Sequence, residues 1–242
     1  MNGRNPDDRS MPYVSIPGDP VFDVTRRRYI VDRSLDHASP LGRIFRRIYH
    51  TNKWGSSETR SGPGSECDRT KSLASELPVL MHSRGIRSIL DAPCGEFNWM
   101  RDVDLNGVVY TGMDIVPELI QRNRQRFKHL SFTVADITRS ELPTVDLILC
   151  RDGLVHLSNI HLMAALANFK RSNSKYLLTT TFTKTDETTE IASGWWRPIN
   201  LELPPFELPK PLIRINDSDS DDFYNDKTLS LWKLTEIQLS AK

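Results

Sequence analysis

The sequence contains few cysteines, no long apolar run and almost no net charge. Its three cysteines form no Cys-x-x-Cys pair, which disfavours a disulfide framework or a structural zinc site and favours a reducing cytoplasm. No stretch of about 18 apolar residues occurs and the N-terminus has no apolar signal core, so we expect a soluble intracellular protein. The 32 Lys and Arg nearly balance the 31 Asp and Glu, so no overall field favours nucleic acid or an anionic membrane as a partner.

Composition changes along the 242 residues divide the chain into three parts. Residues 1–20 are polar and proline-containing, which is typical of a flexible arm. In residues 21–69, Leu41, Ile44 and Ile48 have helical spacing and predict a helical extension. The Gly- and Ser-rich stretch from Asn52 to Glu66 follows, and it is either a linker or a lid over a substrate. Residues 70–242 form the remaining part.

Apolar segments and helical patterns alternate through most of this third part. The segments RSILDA, VVYTGMDI, LSFTVADI, VDLILCRD and KYLLTTTF read as five strands separated by helical stretches. This alternation predicts an α/β fold with a mostly parallel, doubly wound sheet and helices on both faces. A proline-rich insertion at 184–211 comes next, and LIRIN and LSLWKLTEI then predict a C-terminal antiparallel hairpin that completes seven strands.

Acidic residues follow three of the predicted strands. Asp91, Asp114 and Asp136 each come at the end of an apolar segment. In doubly wound sheets the ligand binds beyond the carboxyl ends of the strands. Asp114 follows Asp91 by 23 residues, close to the spacing of about 20 at which a carboxylate accepts hydrogen bonds from ribose hydroxyls. The series therefore predicts one nucleoside-binding cleft.

The segments LDAPCGEFNWM, YTGMDI, FTVADI and DLILCRDGLVHLS together resemble class I S-adenosylmethionine-dependent methyltransferases. The segments around Trp54 and Trp195 also resemble a little-characterised bacterial group of such proteins. The family's first turn is usually Asp/Glu-x-Gly-x-Gly-x-Gly, whereas this chain keeps Asp91 and Gly95 and has Pro93 and Phe97 at the other two glycine positions. S-adenosylmethionine has no pyrophosphate to cradle, so the altered turn remains compatible with that cofactor.

The resemblance implies roles for residues at the strand ends. The first turn would contact the methionine part of the cofactor. Asp114 would bind the ribose, and Ile115 would lie beside the adenine. Asp136 and Ile137 would hold the adenine edge. Trp99 either closes the pocket or anchors the core, and Arg151 either binds the cofactor carboxylate or forms a surface ion pair. The complete set of predicted cofactor-binding residues is Asp91, Ala92, Pro93, Gly95, Asn98, Trp99, Asp114, Ile115, Asp136, Ile137 and Arg151.

Two residues after the fourth strand are candidates for the chemical step. Methyl transfer needs an acceptor held in line and, for some acceptors, a base that removes its proton. Asp152 and His156 are four residues apart, which places them on one face of a helix, and histidine titrates near neutral pH. The alternative is that His156 is satisfied by capping or core contacts.

The lid candidate and the proline-rich insertion supply the predicted acceptor site. Trp195 and Trp196 suit an aromatic wall and Arg197 suits an acceptor carboxylate or phosphate, although a tryptophan that packs the hairpin onto the sheet is the alternative. We expect one tryptophan in each role. The predicted acceptor-binding residues are Trp54, Ser61, Thr181, Trp195, Trp196 and Arg197.

Two further patterns argue against other functions. The run DSDSDD at 217–222 has Asp222 where a calcium loop needs glycine, so we expect a solvated hairpin tip and no metal. The Asn/Asp-Pro-Pro-aromatic motif of nucleobase amino-methylating enzymes is absent after the fourth strand. The sequence therefore predicts methyl transfer to a small or peptide-like acceptor. Non-methyl chemistry on the same cofactor, through aminocarboxypropyl transfer or cyclisation, and a non-catalytic scaffold remain the alternatives.

Overall fold

The computed structural model describes residues 21–23, 28–30, 39–218 and 224–239. The predicted arm at 1–20 therefore lies outside the described residues, as does most of the acidic run 217–222. Within the described ranges, strands β1 (Val21–Asp23) and β2 (Arg28–Ile30) pair antiparallel. Among the described residues of the predicted helical extension, helix α1 (Pro40–Thr51) begins after the Ser39 N-cap.

A seven-stranded sheet forms the centre of the molecule and confirms the predicted fold class. Its strands are β3 (Ser88–Asp91), β4 (Val109–Asp114), β5 (Ser131–Val134), β6 (Leu147–Cys150), β7 (Tyr176–Phe182), β8 (Ile213–Asn216) and β9 (Lys227–Lys233). They lie in the order β5-β4-β3-β6-β7-β9-β8. The first five are parallel, and β9 runs antiparallel to both β7 and β8. The strand order reverses between β3 and β6, so a ligand cleft is expected there.

The strands are short and apolar because both faces of the sheet are covered. On β6, Leu147 and Leu149 pack into one hydrophobic cluster, and Ile148 and Cys150 into another on the opposite face. Helices α2 (Cys67–Ser83) and α3 (Pro117–Arg126) cover the first face. Helix α4 (Asn159–Arg171) and part of the proline-rich insertion cover the second.

The connection from β3 to β4 differs from the sequence prediction. The sequence predicts a helical stretch between these two strands, but only a single 3-10 turn, Met100–Asp102, forms in the stretch from Asn98 to Val103. Phe97 and Met100 turn inward and are almost fully buried. Helix α2, which precedes β3, covers much of this face instead.

Candidate functional site

A cleft of about 1060 Å³, its open mouth included, lies at the carboxyl edge of the sheet. It is lined by residues that follow β3, β4, β5 and β6, and it is closed on the outer side by α1 and the segment 54–65. Of the eleven predicted cofactor-binding residues, all but Ala92 line this cleft; the ten are Asp91, Pro93, Gly95, Asn98, Trp99, Asp114, Ile115, Asp136, Ile137 and Arg151. One cleft therefore contains the carboxylates from three strand ends.

The turn after β3 is held in its conformation by neighbouring segments. Gly95 has a φ of +53°, which favours glycine. A Cβ there would lie 2.3 Å from Ser61 Oγ, and the same hydroxyl accepts a hydrogen bond from Glu96 N at 3.1 Å. The close approach at Gly95 is thus made by the Ser61 hydroxyl of the Gly- and Ser-rich segment.

Asp114 joins the turn to β4. Its Oδ2 accepts a hydrogen bond from Gly95 N at 3.2 Å, and its Oδ1 accepts one from Val116 N at 3.0 Å. Burial raises the pKa of Asp114 to about 6, although these backbone donors oppose the increase. Each carboxylate oxygen has a second lone pair, which leaves acceptor capacity for a ligand in the cleft.

Asp136 occupies the corresponding place after β5. Its Oδ1 accepts hydrogen bonds from the Thr138 hydroxyl at 2.6 Å and from Thr138 N at 3.0 Å. Its Oδ2 accepts one from Ser39 Oγ at 3.2 Å and lies 3.2 Å from Arg139 Nε. Ile137 beside it is 9% exposed and also lines the cleft, so an apolar surface adjoins the carboxylate.

Glu96 fastens the Gly- and Ser-rich segment over the turn. Its Oε2 accepts hydrogen bonds from Arg60 N at 2.7 Å and from the Thr59 hydroxyl at 3.1 Å. A second fastening joins Asn98 Nδ2 to Glu58 Oε1 at 2.5 Å and to the Ser65 carbonyl oxygen at 2.9 Å. The segment therefore lies closed against the cleft, in the position of a lid.

Helix α1 supplies one wall of the cleft that the sequence analysis did not assign. Leu41, Phe45 and Tyr49 line the cleft, and their spacing of four places them on one helical face. The apolar stripe noted in the sequence runs through Ile44 and Ile48, and both of these pack beneath Gly194 of the insertion. The five residues repeat at i, i+3, i+4, i+7 and i+8, so they form one wide apolar stripe, and the width of this stripe was the available signal.

Both candidate residues for the chemical step line the cleft. His156 Nδ1 lies 2.9 Å from the Trp195 carbonyl oxygen. Because a carbonyl only accepts, Nδ1 carries the proton and Nε2 keeps its lone pair. Burial lowers the pKa of His156, which favours the neutral ring. Trp54 of the lid stacks on this ring, with centroids 4.6 Å apart and planes at 27°.

Arg151 and Asp152 belong to a buried ionic network. Arg151 makes a paired contact with Asp217 through Nε at 3.0 Å and Nη2 at 2.8 Å. Lys227 Nζ lies 2.7 Å from Asp152 Oδ2 and 3.1 Å from Asp217 Oδ2. Lys227 and Arg151 hold the pKa of Asp152 well below its usual range despite its burial. Asp152 is therefore an anion in this arrangement, and Arg151 already has two carboxylate partners.

This network corrects the expectation of a solvated hairpin tip for Asp217. The Asp217 side chain is 1% exposed because two cations, from the ends of β6 and β9, surround it.

Cys94 and Cys150 are buried and Cys67 is partly buried, and all three are free thiols. The described residues contain no group of three or more potential metal ligands. None of the described helices has both the length and the hydropathy of a membrane span.

The predicted acceptor-binding residues separate into two groups. Trp54 and Ser61 line the cleft, whereas Thr181, Trp195, Trp196 and Arg197 do not. Thr181 is fully buried and bonds the insertion through Leu201 N at 3.1 Å. Arg197 is 4% exposed and donates to the Leu157 carbonyl at 2.6 Å and to Asn159 Oδ1 at 2.7 Å. The polar groups of these two residues hold the insertion in place.

The two tryptophans of the insertion are half exposed, at 43% and 42%. Trp195 contacts the Lys53 ammonium, which lies 4.7 Å from its ring centroid. Trp196 packs against Phe182 and Tyr224, with centroids 6.0 and 4.9 Å away. Trp196 thus joins the insertion to the hairpin, while Trp195 orients His156 through its carbonyl.

Comparison with known proteins found one family model and several similar solved structures. A sequence model described as a methyltransferase domain matches residues 89–174. No curated protein sequence matches the chain. The structure is similar to N-methyltransferase NodS from Bradyrhizobium japonicum WM9, with 18% identity, a TM-score of 0.53, and coverage of 69% of this chain and 96% of NodS.

Two other solved structures complete the comparison. An S-adenosylmethionine-dependent methyltransferase from Clostridium acetobutylicum ATCC 824 has 10% identity, a TM-score of 0.51 and coverage of 67% and 91%. For a Pyrococcus horikoshii OT3 protein the identity is 23% and the TM-score 0.41, and the aligned part covers 57% of this chain and 65% of that one. This chain therefore spans somewhat less than two thirds of the Pyrococcus protein. The TM-scores of the NodS and Clostridium structures show that this chain shares their fold.

Proposed function

We propose that this chain is a class I S-adenosylmethionine-dependent methyltransferase that transfers the methyl group to a small-molecule or peptide-like acceptor, as its match to a methyltransferase domain model supports. The observation that supports this acceptor class is the closed cleft. Helix α1 and the lid cover the carboxyl edge of the sheet, and Trp54 stacks directly on His156. A duplex or a folded surface has no access to His156 in this arrangement, which favours a small or extended acceptor.

The cleft residues fit the cofactor. S-adenosylmethionine carries a ribose diol and two cationic groups, and the cleft offers buried carboxylates at three strand ends for them. We assign Asp114 to the ribose, Asp136 and Ile137 to the adenine, and Asp91 and Gly95 to the methionine part. Arg151 is already paired with Asp217 and Asp152, so we assign it to the support of the site.

His156 is the proposed general base. When bound, the cofactor supplies a methyl group activated by its sulfonium charge. The Trp195 carbonyl fixes the His156 tautomer so that Nε2 is free to accept the proton of an acceptor N–H or O–H group. Asp152 remains anionic because of Lys227 and Arg151, and it stabilises the imidazolium that forms.

A labelled-cofactor assay tests the methyl-transfer proposal. The protein is incubated with S-adenosylmethionine carrying a trideuterated methyl group and a pool of small metabolites and peptides, and products are read by mass spectrometry. We expect S-adenosylhomocysteine together with an acceptor that carries the label. Methylthioadenosine as the product would instead establish aminocarboxypropyl transfer or cyclisation, and absence of cofactor binding would establish a scaffold.

The role of His156 as the general base is tested with the acceptor found in this assay. His156→Asn should lower kcat by about 10²- to 10⁴-fold with little change in cofactor affinity. His161→Asn is the matched control, because His161 lies on the outer helix α4 and bonds Ser193 rather than the cleft. Equal activities of the two variants would remove His156 from the mechanism.

The proposal extends to the location and the partners of the protein. The three free thiols and the balanced charge agree with a reducing cytoplasm and with a small substrate rather than nucleic acid as the partner. Fractionation of the source cells tests the location, because it shows whether the protein is in the soluble or the membrane fraction.

A further inference from the structure

We propose that Tyr110 is a positioning residue that holds Asp91 as a charge-selective contact, so that the cleft prefers ligands with a cationic methionine end. This inference rests on the proposed cofactor site. Tyr110 donates its hydroxyl proton to Asp91 Oδ2 at 2.7 Å, and both side chains are buried, at 4% and 3% exposed. Asp91 lines the cleft, whereas Tyr110 lies behind it.

The sheet register explains how the two side chains meet. Asp91 is paired with Gly112 on the neighbouring strand, and Tyr110 precedes Gly112 by two residues. Residues two apart on a strand point to the same face, so Tyr110 and Asp91 are diagonal neighbours across Gly112. A Cβ at Gly112 would lie 2.6 Å from the Phe132 ring and 3.1 Å from Cys94 Sγ. Glycine at this position therefore makes room for the Phe132 ring and the Cys94 thiol beside the two side chains.

Asp91 has no cation of its own among the described residues. The Arg151 guanidinium acts on Asp91 through its charge, but it is bonded to Asp217 and lies beside Asp152. Burial, together with the charge of Asp114, raises the pKa of Asp91 to about 7, although the Tyr110 hydroxyl opposes the increase. The titratable groups that act on Asp91 from the surrounding elements are Tyr110, Asp114, Cys94, Cys150 and Arg151.

A ligand cation changes the protonation equilibrium of the Asp91 carboxyl group. In the free protein near neutral pH a fraction of the Asp91 carboxyl groups is protonated. An ammonium or sulfonium group beside Asp91 favours the carboxylate, so the proton is released to the solvent when such a ligand binds. Methylthioadenosine shares the adenosine part but has a neutral thioether and no ammonium. It therefore gains nothing from the ionisation of Asp91.

The consequence is a preference that depends on pH. Between pH 5.5 and 7.0, below the titration of the ligand ammonium, the ratio of the methylthioadenosine Kd to the S-adenosylmethionine Kd should rise about tenfold. Taking the ratio cancels the contribution of Asp114, because both ligands carry the ribose. In the Tyr110→Phe variant the same rise should occur at higher pH, since the donor that favours the carboxylate is lost.

The measurement is isothermal titration calorimetry of the full chain with both ligands across this pH range. Tyr176→Phe is the matched control, because Tyr176 is a buried tyrosine of the same sheet that does not line the cleft. It should leave the pH dependence unchanged, and Asp91→Asn should abolish it. If Tyr110→Phe fails to fold, titration of the natural protein at pH 6.5 in buffers of different ionisation enthalpy replaces it. S-adenosylmethionine should then release roughly 0.7 more protons than methylthioadenosine.

Two results would overturn the inference. A preference that stays constant with pH, or equal proton release by the two ligands, would exclude Asp91 and Tyr110 from charge selection while leaving the cofactor site intact. Failure of both ligands to bind would instead reject the proposed cofactor site, and the inference with it.

Discussion

Replacement of Asp217 by asparagine should cost this protein about 3–5 kcal/mol of unfolding free energy. The side chains of Asp217 and Arg151 are 1% and 4% exposed, and Lys227 beside them is 15% exposed. The network contains two cations and two anions, with Asp152 as the second anion. Loss of one anion leaves an uncompensated positive charge in a site from which water is almost excluded, and this is the origin of the large cost.

Thermal and urea unfolding measure the effect. For a domain of this size, a loss of 3–5 kcal/mol corresponds to a decrease in Tm of roughly 6–20 °C. The matched control is Glu202→Gln, which removes the ion pair of Glu202 with Arg214. Those side chains are 21% and 40% exposed, so the expected loss is below about 1 kcal/mol.

The difference between the stability losses of Asp217→Asn and Glu202→Gln tests whether Asp217 is buried in solution. Equal losses in the two variants would show that the Asp217 carboxylate is solvated in solution, as the acidic sequence around it first indicated. Arg151 would then be available to the cofactor carboxylate, and its assignment to the support of the site would be wrong.

Three further predictions concern the cleft. Asp114→Ala should weaken S-adenosylmethionine binding by about 1–3 kcal/mol in calorimetry through loss of a charge-assisted hydrogen bond; unchanged affinity would place the ribose elsewhere. The pKa values of Asp91 and Asp114 are raised by burial to about 7 and about 6, so their protonated forms favour the folded state. The contribution of these two groups to the stability of the free protein should be fully present below their unfolded pKa of about 4 and be lost, by roughly 4–7 kcal/mol, as pH rises from there to about 7; chemical denaturation of the natural protein and of Asp91→Asn at constant temperature tests this, and a stability difference between them that is the same at both ends of that interval contradicts it. Glu96→Gln should loosen the lid and speed limited tryptic cleavage at Arg60 several-fold, and an unchanged cleavage rate would show that Glu96 does not hold the lid closed.

The order of strands and helices could be predicted because it depends on local patterns. Continuous apolar segments such as Leu147–Cys150 predict strands buried on both faces. Pro117 at a helix start and Ser158 at an N-cap are local signals of the same kind. The three acidic strand ends line one cleft because parallel strands end at a common edge of the sheet.

Features that depend on distant partners could not be predicted. Asp217 lies in a run of acidic residues that is typical of a solvated loop, and its burial depends on Arg151, 66 residues away in the chain. The Trp195 carbonyl orients His156 across 39 residues, a contact without a sequence signature because any residue has a carbonyl. The wall formed by α1 was missed because an apolar stripe predicts a buried helix face but not which part of the molecule that face packs against.

The central claim is that Asp91, Asp114 and Asp136 surround one adenosyl group, and a crystal structure of the protein with S-adenosylhomocysteine tests it most directly. The account predicts ribose hydroxyls within hydrogen-bond distance of the Asp114 carboxylate and the adenine amino group beside Asp136, under a closed lid. Ligand density outside this cleft, or with its ribose away from Asp114, would contradict it.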